Sequence, residues 1–274
     1  MPTMIGRRLV AVFAVLAVLA VLGGFTALEP HASERDEPMP KELFESVFVH
    51  ADDLESVHGD RTTEIVVGTG SDAETHSQRV EVVERPYTEY RSEVLESADP
   101  DRVGDVYVST ASINWWYDPD ANVADYFAPT EPFDDDAVRA DRADHAERQQ
   151  RLSDLEYEGV ETVADRKTHV LTVEAETESA TDGVSVLVGD TEFVYALETV
   201  DPSDELEVHE QRLWIDAEYE FPLKQVLVLK ADTENERYVM TEQFESVTFN
   251  GDVDEETFAF EPPENATVTD LGGG

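Results

Sequence analysis

Residues 206–249 read LEVHEQRLWIDAEYEFPLKQVLVLKADTENERYVMTEQFESVTF. Three runs stand out: Leu206 to Ile215, Leu223 to Ala231 and Arg237 to Phe249. Each is dense in Val, Leu, Ile and aromatic side chains, which suit a pleated, half-buried surface. The segments between them, Asp216–Glu220 and Asp232–Glu236, are short and rich in acids, and they read as turns. Sequential strands with short connections form an antiparallel meander, and this meander sets the fold class.

The pattern continues upstream. Gly159 to Val163 and His169 to Glu174 flank a turn at Ala164-Asp165-Arg166. Val184 to Val188 and Thr191 to Leu197 flank Gly189-Asp190, a dipeptide suited to a hairpin turn. Thr62 to Gly68, Gln78 to Arg85 and Tyr87 to Leu95 are strand-like. Val103 to Tyr117 reads as one long strand, and Asp118-Pro119-Asp120 turns it into Val123 to Phe127. Two segments are helical instead. Leu43, Phe44, Val47, Ala51, Leu54 and Val57 recur at three- and four-residue spacing, and Gly59 ends that run. Asp134 to Leu155 carries only a thin apolar stripe of Ala137, Ala140 and Ala143, with Leu152 and Leu155 later. A helix this polar covers an edge rather than filling a core. The expectation is a mainly β (α+β) fold: one curved antiparallel sheet whose apolar face is covered by two helices.

The N-terminus has a different character. Arg7 and Arg8 precede an uncharged run from Leu9 to Leu28, long enough as a helix to cross a bilayer's hydrocarbon core. Arginines before the run and acids after it favour a C-terminal domain on the outer side. A retained signal anchor and a cleaved signal peptide both remain open. So do a twin-arginine export signal and a plain pair of flanking arginines. We divide the chain into this leader at 1–28, a proline-rich linker at 29–40, a domain at 41–268 and a loose tail at 269–274. The expected location is the cell membrane with the domain outside, or secretion if the leader is removed.

There are 63 Asp plus Glu against 19 Lys plus Arg, for a formal net charge of -44. The acids are spread over the whole domain. Such a surface suits molar salt, where the Debye length is only about 3 Å, and it points to a halophilic archaeal origin. A cation-buffering role is the competing reading. No basic face exists to neutralise phosphate, which argues against nucleic acid as a partner. There is no cysteine, so disulfides and thiolate metal sites are excluded.

The segments Trp115-Trp116-Tyr117-Asp118-Pro119, Leu213-Trp214-Ile215-Asp216 with Phe221-Pro222-Leu223-Lys224, and Phe258-Ala259-Phe260-Glu261-Pro262-Pro263 resemble the LolA-like lipoprotein-sorting proteins, and most closely their archaeal relatives. The resemblance covers Lys41 to Pro263. It implies an unclosed half-barrel whose concave face is covered by helices. In bacterial members that hollow holds the acyl chains of a lipoprotein. Members of the wider superfamily sense lipids or envelope proteins instead. The Gly183 to Ser203 hairpin is an addition to the family pattern. A chain tethered by its own anchor could not shuttle as a soluble carrier does.

An apolar ligand hollow is therefore one expectation, and an ordinary packed core is the other. Alternation puts Val106, Val108 and Trp116 on one face, and Tyr107, Ile113 and Trp115 on the other. It puts Trp214 with Val208, and Tyr238 with Met240 and Phe244. The candidate lining is Trp115, Trp116, Trp214, Met240 and Phe244. Adjacent Trp115 and Trp116 cannot both face inward. Asn265-Ala266-Thr267 is a glycosylation sequon.

Asp118-Pro119-Asp120-Ala121-Asn122 opens like a calcium loop, but Val123 and Pro129 stand where Gly and Glu are needed, so it reads as a turn. Asp134-Asp135-Asp136 reads as helix capping. The seven histidines show no zinc spacing. No catalytic motif appears, and no cofactor is expected. The sequence thus favours an extracytoplasmic carrier of a hydrophobic guest, either a lipid or a lipidated protein. The alternative is a structural or sensory envelope module with a filled core.

Overall fold

The computed structural model describes residues 38–68, 73–175, 206–231 and 237–272. The leader, most of the linker, the Gly183–Ser203 hairpin and the Asp232–Glu236 turn lie outside the described residues. No described helix is long and apolar enough to cross a membrane.

The meander forms as expected: β9 (Leu206–Asp216), β10 (Pro222–Ala231) and β11 (Arg237–Phe249). Before it, β7 (Ser153–Val163) and β8 (Arg166–Ala175) form a two-residue hairpin. Ala164 and Asp165 both take positive φ there, at 49° and 58°, the turn whose twist matches that of the strands. The N-terminal half supplies β1 (Val57–Val67), β2 (Glu74–Arg85), β3 (Glu89–Ser97), β4 (Val106–Ser109), β5 (Asn114–Asp118) and β6 (Val123–Phe127). With β12 (Thr267–Asp270) they make one sheet in the order β12-β6-β5-β4-β3-β2-β1-β11-β10-β9-β8-β7. Its pairs are antiparallel except β12 with β6.

Four segments depart from the sequence expectation. The first helix, α1, covers only Pro40–Ser46. Tertiary hydrogen bonds draw the chain out of it. The Ala51 N–H donates to Tyr219 O at 3.2 Å, and Asn250 Oδ1 accepts from the N–H groups of Glu55 and Ser56 at 2.7 and 3.3 Å. Leu54 and Val57 still reach the core, so their spacing marked burial without marking helix. Gly59 is not a helix stop but a β1 residue beside a bulge at Asp60/Arg61. A Cβ there would lie 2.1 Å from Ser246 O, so only glycine permits this approach.

The expected long strand from Val103 to Tyr117 is broken into β4 and β5. Thr110 Oγ1 accepts from the N–H groups of Ser112 and Ile113 at 3.3 and 3.2 Å and folds the chain into a loop. The second helix, α2 (Asp135–Gln150), ends before Leu155 because Ser153 begins β7. It is capped as expected, with Asp134 Oδ1 accepting from Ala137 N–H at 3.1 Å. Thr269 and Asp270, read as tail, belong to β12, which the Leu271 N–H extends by donating to Tyr126 O at 2.8 Å.

Register separates the two faces of the sheet. Met240 pairs with Ile65 and Leu227; one rung along, Gln225 pairs with Glu242 and Leu213, and Leu213 with Leu171. These residues form the inner face. Leu43 and Phe44 of α1, with Val47 just after it, pack with its apolar members in one core cluster. Each such side chain, fully buried, stabilises by about 1.5–3 kcal/mol. α2 adds Ala146, with no exposed surface, and otherwise lies over α1 and β7. Its N-terminal end reaches the β2–β3 turn, where the Thr88 hydroxyl donates to Asp135 at 2.7 Å. On the outer face, Phe260 from the closing segment packs against Trp115 and Tyr117.

Candidate guest-binding cleft

Among the described residues, the expected hollow beneath the helices is filled. Met240 is 2% exposed and Phe244 is 3% exposed, and both belong to the packed clusters. Phe244 meets Phe221 edge-on at 5.9 Å, and Phe221 in turn meets the His50 ring at 4.9 Å. His50 is buried, with Nδ1 3.1 Å from Ser46 O. Burial, reinforced by the nearby Arg142 charge, lowers its pKa to about 3.

A buried polar line crosses the inner face as well. Gln211 Nε2 donates to Gln225 Oε1 at 3.3 Å, and Gln225 Nε2 donates to Glu242. Glu242 also accepts from Thr63 Oγ1 at 3.2 Å and lies 3.8 Å from Arg61 Nε, while Arg61 Nη2 donates to Tyr90 Oη at 3.4 Å. A hollow of about 10 Å³ beside Arg61 and Glu242 has room for about one water.

Open space lies elsewhere. A cleft of about 370 Å³ opens at the β4–β6 end of the sheet, where the β3–β4 connection meets the β5–β6 turn. Gly104 makes that meeting possible: it takes φ +91°, and a Cβ would lie 3.2 Å from Pro119 Cγ. Tyr107 pairs with Trp116, and Trp116 with Asp125, so these three share the inner face. The Trp116 ring lies against Tyr107 at 5.3 Å, with Tyr107 against Tyr90 at 5.7 Å behind it. Tyr107 is buried, and Trp116 is half-buried at the cleft wall. Arg102 lines the same space. Its Nε donates to Asp105 Oδ2 at 3.2 Å and its Nη1 to Gln78 Oε1 at 2.8 Å.

The five candidate lining residues are therefore dispersed. Trp116 lines the cleft. Trp115 points to the outer face, against Tyr126 at 4.9 Å and Phe260 at 5.7 Å. Trp214 also lies on the outer face, paired across the strands with Val170 and Lys224. Its Nε1 donates to Glu161 Oε2 at 2.7 Å, and Lys224 Nζ sits 4.7 Å from its ring. Met240 and Phe244 line the filled inner core. Val106 and Val108 pair with Tyr117 and Trp115, so they lie opposite Trp116 rather than beside it. The Thr110 loop resets the alternation, and extending one strand across it assigns the faces wrongly. Tyr107, which the alternation set apart from Trp116, is its neighbour. The Thr110–Ser112 signal, a hydroxyl able to cap the backbone two residues on, would have revealed this.

The motif around Asp216 is structural. Arg166 donates to both Asp216 oxygens, at 2.6 and 3.1 Å, while Asp216 Oδ1 accepts from the Glu218 and Tyr219 N–H groups. Asp118 Oδ1 accepts from Ala121 N–H at 2.8 Å, as a turn requires. Asn265 is exposed in the turn before β12, and its carbonyl accepts from Asn122 Nδ2 at 2.8 Å. Among the described residues, no group of three or more His, Asp or Glu side chains is placed to hold a metal ion.

No family model matches the chain, and no curated protein does. Solved structures do. The chain is similar to MucB at 15% identity over 84% of this chain and 65% of that one, with a TM-score of 0.42. It is similar to the Mycobacterium tuberculosis lipoprotein LppX at 12% identity over 78% and 95%, with a TM-score of 0.37. A LolA superfamily protein from Nitrosomonas europaea is similar at 11% identity over 82% and 99%, with a TM-score of 0.32. These are distant likenesses of fold.

Proposed function

We propose that this chain is an extracytoplasmic binding protein for a hydrophobic guest, either a lipid or the lipidated end of a protein. Leu9 to Leu28 holds it at the cell membrane with the domain outside, and removal of that segment yields a secreted form. The dispersed acids suit a halophilic archaeal envelope. The action is passive rather than enzymatic: burying a methylene group is worth about 0.8 kcal/mol. One observation carries this reading. The cleft of about 370 Å³ walled by Trp116 falls within the range of about 300–1,000 Å³ typical of ligand sites. The guest space lies beside the helical cover, not beneath it.

A second reading, a sensory or structural envelope module, is favoured by the filled space between α1 and the sheet. Native mass spectrometry of the full chain purified from its own membranes separates the two. The carrier gives a co-purifying lipid mass that Trp116→Glu removes. A clean apo mass in repeated preparations, with no change in Trp116→Glu, refutes the carrier and leaves the module.

A further inference from the structure

We propose that the cleft selects guests bearing an organic cation, an alkylammonium group attached to an apolar chain. This rests on the carrier reading and adds a head-group chemistry to it. Arg102 is the one base among the residues lining the cleft, and it is already committed to Asp105 and Gln78. Asp118 and Asp125 line the same space. Asp125 stands on the inner face directly across from Trp116 in the strand register. A phosphate or sulfate head would meet these carboxylates with no uncommitted base to receive it. An ammonium head would meet a carboxylate on one side and an indole face on the other. An aromatic ring attracts a cation through its quadrupole, and tryptophan does so best. The Trp116 ring is backed by Tyr107, which is 3% exposed, so the aromatic wall is held in place before any guest arrives.

The wall also supplies the apolar contact. Val106, Tyr117 and Val123 line the same space as Trp116 and Tyr107, and an alkyl chain can lie against them. The cleft therefore offers an acidic mouth and an aromatic floor, the arrangement that complements an amphiphile with a positive head.

The test uses calorimetric titration of the full chain with three probes below their micelle-forming concentrations: dodecyltrimethylammonium, dodecyl sulfate and dodecyl maltoside. Measurement at about 1 M salt, where the Debye length is about 3 Å, removes the long-range pull of the acidic surface. The expected result is binding of the cation at least tenfold tighter than of the neutral probe, and weaker binding of the sulfate. Asp125→Asn removes most of that preference and leaves maltoside affinity unchanged. Trp116→Leu weakens the cation more than the neutral probe. Asp154→Asn, an exposed β7 residue far from the cleft, removes the same unit of charge and changes nothing. Equal affinities for the three probes, or an equal loss in Asp125→Asn and Asp154→Asn, overturn the head-group assignment while the carrier reading stands. Failure of all three probes to bind defeats the carrier reading itself.

Discussion

Protonation of His50 destabilises the folded chain. The ring is 4% exposed, stacks on Tyr87 at 5.9 Å and sits against Phe221. Its folded pKa is lowered from 6.5 to about 3, with burial the largest cause and the Arg142 charge the next. The unfolded chain therefore takes up a proton below pH 6.5 that the folded chain refuses. The contribution of the neutral ring is fully present above that pH and is lost as pH falls towards 3. Over the whole window the loss amounts to about 5 kcal/mol, and near pH 5 to about 2 kcal/mol. Urea unfolding of wild type and His50→Phe at pH 7 and pH 5, in the same salt, isolates this loss. Phenylalanine keeps an aromatic ring and cannot titrate. The Glu220 carboxyl, raised by burial and by the charges of Asp52, Asp53 and Glu42, titrates in both proteins and cancels. The wild type should lose about 2 kcal/mol more than His50→Phe over that interval. An equal loss in the two proteins would show that His50 is protonated in the fold and would refute the reasoning.

Arg166→Met leaves the Asp216 carboxylate, which is 1% exposed, without its cationic partner. Because Arg166 is itself 28% exposed, the expected loss is about 2–3 kcal/mol in urea unfolding, below that of a fully buried pair. Gly59→Ala forces a Cβ onto Ser246 O, and a lowered thermal midpoint equivalent to about 3 kcal/mol or more is expected from calorimetry. Leu227→Ala empties the space between Met240 and Gln211 on the inner face and should cost about 2–5 kcal/mol in the same assay.

The meander was legible because β9, β10 and β11 are dense in Val, Leu, Ile and aromatic side chains, and polar turns separate them. The Ala164–Asp165 hairpin was legible for the same reason. Helix α1 was not. Leu54 and Val57 recur at helical spacing, yet the carbonyl of Tyr219 and the side chain of Asn250 redirect the backbone between Ala51 and Ser56, and neither is near in sequence. The cleft was half legible. Trp116 could be named as a candidate wall, but its partners depended on how the four residues from Thr110 to Ile113 fold. Trp214 was misread because an outer-face tryptophan covered by Lys224 and Arg212 is as apolar in sequence as an inner one. Asp125 and Gly104 carried no local signal. Their importance comes from the strand register and from the approach of two loops.

The seam between β1 and β11 has a kinetic consequence. Ile65 and Met240 are partners about 175 residues apart, and this pairing stands in the middle of the sheet. Local hairpins such as β7–β8 can zip in microseconds, but bringing the two halves together requires closing almost the entire domain as a loop. Docking of the N-terminal six-strand run from β1 to β6 onto the meander should thus be the slow event in folding. A chain cut short before Arg237 would lack the strand onto which β1 zips, leaving two separate sheets with raw central edges.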